Sequence, residues 1–175
     1  GAGVAAPDPD RTDVVGAGQL RLLLEELLGV HGALTAQMMR EAVDGTAAMP
    51  TWIDELDGNT LELAGAIGLV YGPAGADGFE QLWSFHTQFF LDYADALRTG
   101  DDEKLADAID ALADYRSDFA SFLAAATGGL APEDAVAALL AEHITQMTDQ
   151  LDAYRDGDLA TSIRVEAEGH DYLRG

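Results

Sequence analysis

The chain contains no cysteine, and this absence removes two kinds of chemistry. Disulfide bonds are excluded, and so are thiolate ligands, so a metal site in this protein has to use His, carboxylate, Met or Tyr side chains. Basic residues are also scarce, because 9 Lys and Arg stand against 32 Asp and Glu, which gives a formal net charge of -23. Such a surface repels polyanions, and the sequence therefore predicts no nucleic-acid partner.

Long apolar runs are lacking as well. No stretch approaches the roughly 18 apolar residues that a membrane-spanning helix needs, so we expect no membrane span. The beginning, "GAGVAAPDPD", is rich in Ala, Pro and Asp and has no hydrophobic segment, and we expect residues 1–12 to form a disordered tail. Residues 13–175, in a chain that is 48% hydrophobic, have the size and composition of a single helical-bundle domain.

Gly, Pro and Asp clusters divide the chain into segments whose apolar residues recur at helical spacing. Alternation of polar and apolar residues is absent, so no sheet is expected. Short connections between the segments predict antiparallel neighbours and hence an all-α, up-and-down bundle. Six helices are expected, at about 14–44, 51–71, 78–99, 102–127, 132–156 and 158 onward.

The chain also repeats itself weakly. Three histidines each lie 14 residues before a glycine that closes their helix, the pairs being His31 with Gly45, His86 with Gly100 and His143 with Gly157. A shift of 56 residues also superimposes the apolar positions of the second predicted helix on those of the fourth. The sequence therefore predicts that the six helices form three hairpin repeats of about 56 residues.

This spacing predicts a layer of histidines. At a rise of about 1.5 Å per residue, His31, His86 and His143 lie about 21 Å from the same end of the bundle, and His170 on the last helix returns to nearly the same height. Imidazoles that converge in an apolar, cysteine-free interior are typical ligands of copper and zinc. We therefore expect His31, His86, His143 and His170 to bind a metal ion, copper first and zinc second.

Other polar residues fall near the same height and are expected to surround the ligands. Asn59, Tyr115 and Glu166 offer groups that orient an imidazole through its second nitrogen, and Met147, four residues after His143, offers a thioether that favours Cu(I). No short motif of a metallohydrolase, a di-iron bundle or a covalently bound haem occurs. The sequence thus favours binding over catalysis, and it leaves enzymatic activity undecided.

Two alternatives to a metal centre stay open. The histidines can form a buried polar network in a non-catalytic structural or interaction module, because one hydroxyl and one carbonyl satisfy an imidazole. The same interior can also hold haem or another small molecule. Metal uptake separates the first alternative from a metal site, and a haem absorption band identifies the second.

Three stretches together resemble a known family: "NTLELAGAIGLVYGPAG" (59–75), "LWSFHTQFFLDY" (82–93) and "LAAATGGLAPEDAVAALLAEH" (123–143). The family consists of secreted or envelope helical domains of Gram-positive bacteria that are sometimes labelled copper amine oxidase-like. The resemblance implies a helical fold, a location outside the cytoplasm and an association with copper. The matching positions are Asn59, Thr60, Val70, Tyr71, Gly72, Trp83, His86, Phe89, Phe90, 126–129 and His143.

The chain departs from this family pattern in two places. Val30 precedes the first histidine where the family usually has Glu, and the end reads "GHDYLRG" in place of a His-Met type of ending. The resemblance therefore supports His86 and His143 as ligands more strongly than His31 and His170. It implies no catalysis, because the Asn-Tyr-(Asp/Glu) motif that forms the quinone of copper amine oxidases is absent from the sequence.

Overall fold

A computed structural model describes residues 16–173, apart from the side chains of residues 17 and 170–173. The described chain is all-helical and contains no strand, which confirms the predicted all-α class but not the count of six helices. Predictions for residues 1–12 lie outside the described residues. The structure has five helices: α1 (Ala17–Asp44), α2 (Met49–Thr99), α3 (Asp102–Ala126), α4 (Glu133–Arg155) and α5 (Leu159–Leu173).

Helix α2 covers both the second and the third predicted helix, and it reverses direction inside. Met49 at its start lines the same surface groove as Arg98 near its end. Its two arms, 49–71 and 73–99, therefore lie antiparallel, and the reversal occurs at Gly72, which has φ 73° and ψ -178° and precedes Pro73. The break expected between the helices at 51–71 and 78–99 is shorter than predicted, because one glycine makes the turn.

Gly72 is expected to be essential for this reversal. Its backbone conformation is accessible almost only to glycine, so Gly72→Ala should lower the free energy of unfolding by about 1–3 kcal/mol. The exposed Gly58 in the first arm of α2 provides the matched control, because an added Cβ there meets nothing within 4 Å. Gly58→Ala should stabilise the helix by up to about 1 kcal/mol. Urea denaturation of both variants checks the pair, and equal effects would contradict this account of the turn.

Capping side chains and glycines define several helix ends. Asp101 caps α3 by accepting a hydrogen bond from the Lys104 backbone N–H at 3.1 Å, and Asp158 accepts one from the Thr161 N–H at 3.1 Å. The predicted closing glycines have left-handed backbone angles, with φ 66° at Gly45, 68° at Gly100 and 79° at Gly157.

The core consists of two apolar clusters, one toward each end of the bundle. One cluster includes Met38, Met39, Phe90, Leu112 and Leu151. The other includes Leu27, Leu63, Phe79, Trp83 and Phe119. The rings of Trp83 in the second cluster and Phe90 in the first both pack against His86, at 4.6 and 6.0 Å between centroids. The histidines therefore lie between two dry regions of the core.

Helix α5 packs on α4 and α1. Arg40 of α1 donates two hydrogen bonds to the Glu166 carboxylate of α5, at 2.7 and 3.0 Å. This bidentate ion pair is half-buried and fixes the position of α5 relative to α1. Among the described residues, no helix combines the length and the apolar composition needed to cross a bilayer.

Candidate metal centre

His31 and His86 meet edge to edge in the middle of the bundle. Their Nε2 atoms are 3.0 Å apart, and the two side chains are 1% and 3% exposed. Helix α1 supplies His31, and the second arm of α2 supplies His86, so residues 55 positions apart in the chain become neighbours. The structure thus brings together two of the four predicted ligands.

Hydrogen bonds fix which nitrogen of each ring carries a proton. Asn59 donates from Nδ2 to the Leu27 carbonyl at 3.1 Å, which turns its Oδ1 toward His31 Nδ1 at 3.1 Å. An amide oxygen only accepts, so His31 Nδ1 carries the proton. His86 Nδ1 lies against the Trp83 backbone carbonyl, which likewise accepts. In both rings the proton is on Nδ1, and the neutral ring has a lone pair on Nε2.

Burial keeps both rings neutral. Loss of solvent, and to a smaller extent the nearby His143, lower the pKa of His31 to about 3, although the hydrogen bond to Asn59 opposes the change. Burial also lowers the pKa of His86 well below its usual range, and His31 and His143 act in the same direction. With both rings neutral and protonated on Nδ1, two lone pairs face each other across the 3.0 Å between the Nε2 atoms, with no proton between them.

His143 is the third buried histidine, at 8% exposure on α4. Its ring packs edge-on against Phe90, with 6.2 Å between centroids, and burial lowers its pKa to about 4. A charge on His143 disfavours protonation of both His31 and His86, which places the three imidazoles in one electrostatic neighbourhood. His143 also lines a cavity of about 20 Å³ between α1, α4 and α5.

The other predicted site residues occupy different positions around this centre. Asn59 orients His31 as expected of a residue that holds a ligand. The Tyr115 ring stacks on His86, with 5.1 Å between centroids and 22° between planes, while Met147 and Glu166 line the cavity beside His143. Both Glu166 oxygens bind Arg40. His170 lies on α5, but its side chain is outside the described residues.

Sequence reasoning missed three contributors. Trp83 was not among the predicted site residues, yet its carbonyl binds His86 and its ring packs on both histidines, at 5.0 and 4.6 Å. Thr35 has its hydroxyl 3.4 Å from His31 Nε2 and donates to the His31 carbonyl at 2.9 Å. Gln150 is 1% exposed and lines the cavity. Thr35 and Gln150 lie four and seven residues after a histidine, a spacing that places them on the same helix face.

The arrangement is not a closed metal site as it stands. Within residues 16–169, no group of three or more His, Cys, Asp or Glu side chains is positioned to hold a metal ion. What the structure provides is a pair of neutral imidazoles with oriented lone pairs and a third imidazole nearby. Comparison of the chain with protein-family models, with curated proteins and with solved structures found no match. The chemistry of this centre is therefore argued from its geometry.

Proposed function

We propose that the protein binds a metal ion, copper first and zinc second, through His31, His86 and His143 in the middle of a helical bundle, and that it acts outside the cytoplasm. The observation that carries this proposal is the 3.0 Å approach of two Nε2 lone pairs in a buried place. The location is supported by the family resemblance of the sequence. The three-repeat origin of the bundle belongs to the same proposal.

A cation relieves the repulsion between two facing lone pairs. Two acceptors in contact repel each other, and in a dry core no water screens the repulsion. A proton between them would relieve it, but burial lowers the pKa of both rings and opposes the imidazolium. A metal ion accepts both lone pairs at once. The carbonyl partners at the two Nδ1 atoms are also the kind of support that metal-bound imidazoles usually have.

The distance between the two Nε2 atoms fits a metal ion with three or more ligands after a small movement of the two rings. With metal–nitrogen bonds of about 2.0–2.1 Å, two nitrogen ligands of a tetrahedral ion lie about 3.3 Å apart. The observed separation is 3.0 Å, so the rings need to part by only a few tenths of an ångström. A linear two-coordinate ion would need about 4 Å, because the nitrogens then lie on opposite sides of the metal. The pair therefore favours a centre with at least three ligands.

His143 is the third ligand in this proposal, and Met147 supports copper over zinc. Met147 follows His143 by one turn and lines the same cavity, so its thioether is available to a soft ion such as Cu(I). His170 remains a proposed fourth ligand from α5. Asn59 and Tyr115 act through His31 and His86, by a hydrogen bond and by ring stacking.

The geometry does not favour haem. A pocket for a drug-sized ligand measures about 300–1,000 Å³. The cavity beside His143 measures about 20 Å³, which is room for one water-sized group. A non-catalytic module with a structural histidine network remains the competing function, and such a network would need only the hydrogen bonds already present.

Elemental analysis of the purified protein tests the proposal. The protein is incubated with Cu(I), Cu(II) or Zn(II) and desalted, and we expect about one equivalent of metal to remain bound. His86→Ala and His143→Ala should each lose this metal, since each removes a ligand. Ser84→Ala, an exposed change two residues before His86 on the same arm of α2, is the matched control and should retain it.

A folded wild-type sample that retains no metal would overturn the proposal and favour the structural network. Retention that persists in both His variants would place the metal elsewhere, for instance on the acidic surface. Circular dichroism of each variant verifies that it is folded before its metal content is compared.

A further inference from the structure

The cavity beside His143 has polar groups that the metal proposal does not use. Gln150 is 1% exposed and lines the cavity, and its Nε2 has no hydrogen-bond partner among the described residues. Its Oε1 accepts from the Ser162 hydroxyl at 3.5 Å, so the amide is anchored on that side. One turn earlier, Gln146 contributes a buried Oε1 that is likewise without a partner in the described part of the chain. The wall of the cavity thus has one free donor and one free acceptor.

The cavity has the size for one small molecule. Its volume of about 20 Å³ exceeds the roughly 10–15 Å³ that one water molecule needs. Glycines provide part of the space, since Gly32 and Gly169 face it from α1 and α5. A Cβ on Gly169 would lie 3.1 Å from Gln146 Oε1, so even alanine would press on this amide. Buried donors and acceptors are rarely left unpaired in proteins, because each one costs about 1–3 kcal/mol.

We infer that this cavity is a binding site for one water molecule, which accepts a hydrogen bond from Gln150 Nε2 and donates one to Gln146 Oε1. Water matches both amides at once because it is donor and acceptor. A small anion would be repelled by the Gln146 oxygen, which has no partner in the described part of the chain. An apolar gas molecule would leave both amides unpaired.

The site also bears on the proposed metal centre, and this consequence rests on the proposed function. The water would lie beside His143, and in a centre held by His31, His86 and His143 solvent commonly takes the fourth position, in place of His170. The cavity would then be the exchangeable position of the centre, where a small substrate or ligand replaces water. Structural metal sites, by contrast, are closed by four protein ligands.

Water-to-amide cross-relaxation in the metal-free, ¹⁵N-labelled protein tests the inference. The Gln150 side-chain NH₂ should show a direct cross peak with water, of the sign given by a long-lived bound molecule. Gly169→Ala and Gln146→Leu should abolish the peak, because they fill the cavity or remove the acceptor. The exposed Gln88 amide, which donates to Asp92 at 2.8 Å, is the internal reference for bulk solvent.

The cross peak between water and the Gln150 amide can also arise by relay through the Ser162 hydroxyl proton, because this hydroxyl contacts Gln150. This route needs its own control. The cross peak should persist in Ser162→Ala, and its loss there would overturn the inference. Absence of the peak in the folded wild type, or its persistence in Gly169→Ala and Gln146→Leu, would overturn it as well. The experiment uses metal-free protein, so its failure leaves the metal proposal standing, and a failure of metal uptake leaves the water site standing.

Discussion

Acidification from pH 6.5 to about pH 4 is expected to unfold the protein. Three buried histidines have pKa values far below the usual 6.5, with His31 at about 3, His143 at about 4 and His86 also well below it. The unfolded chain binds protons at these residues as the pH falls through about 6.5, whereas the native protein does not. The unfolded state therefore gains stability on acidification, and the native state loses it.

The magnitude follows from proton linkage. Each histidine that is protonated only in the unfolded state changes the free energy of unfolding by about 1.4 kcal/mol per pH unit. Three such residues give up to about 4 kcal/mol per pH unit below pH 6.5 and no contribution well above it. Domains are typically stable by only about 5–15 kcal/mol, so the roughly 10 kcal/mol lost between pH 6.5 and pH 4 is comparable to the whole stability of a domain.

Urea denaturation at pH 7.5, 6.5, 5.5 and 5.0 measures this slope. Most carboxylates titrate near pH 4, so this range is dominated by histidine. His143→Gln removes one of the three groups and should reduce the slope by about a third. A free energy of unfolding that stays constant between pH 6.5 and 5.0 would contradict the assignment of three neutral, buried rings.

The sequence predicted the height of the histidines but not their rotation about the helix axes. Counting from Gly45 and Gly100 placed His31 and His86 at one level, because helical rise is nearly constant. Whether the two rings meet depends on helix rotation and on side-chain rotamers, which small differences in packing determine. The contact between the two Nε2 atoms became visible only in three dimensions.

The sequence around Gly72 likewise predicted the turn only in part. Gly72 followed by Pro73 marked a break, but the flanking Ala, Gly and Asp suggested a loop to 78. One residue suffices because its φ of 73° and ψ of -178° redirect the chain sharply, and Gly and Ala residues let the two arms approach, with a Cβ on Gly68 only 3.2 Å from Ala76. Predicting this turn requires knowing that the arms pack tightly, which is tertiary information.

The ion-pair partners of charged residues could not be predicted from the sequence, because they too depend on tertiary packing. Glu166 was expected to orient an imidazole, because it lies one turn before His170. In the structure both of its oxygens bind Arg40, a residue 126 positions earlier in the chain. Helix spacing identifies neighbours within one helix, whereas ion pairs between helices depend on how the helices are arranged.

His86→Gln is expected to abolish metal retention while leaving the metal-free protein as stable as before or more stable. Glutamine offers an amide N–H to His31 Nε2, so a donor faces an acceptor where two acceptors now stand 3.0 Å apart. One hydrogen bond adds about 1 kcal/mol, which offsets the smaller volume of the new side chain. Loss of one of three protein ligands should weaken metal binding by more than the roughly 10–100-fold typical of residues that only support a ligand.

This combination separates a metal site from a structural network. If the histidines form a network that stabilises the fold, histidine is the most stabilising residue at position 86. Its replacement should then lower the free energy of unfolding by about 1–3 kcal/mol. Asn59→Leu serves as the reference, because it leaves His31 Nδ1–H and the Leu27 carbonyl unpaired and is destabilising under both functions. If His86→Gln destabilises the metal-free protein as much as Asn59→Leu does, the two facing lone pairs do not destabilise the metal-free protein. A gain in stability together with lost metal would instead mean that the pair is maintained for its ligand, since binding sites commonly retain local arrangements that do not favour stability.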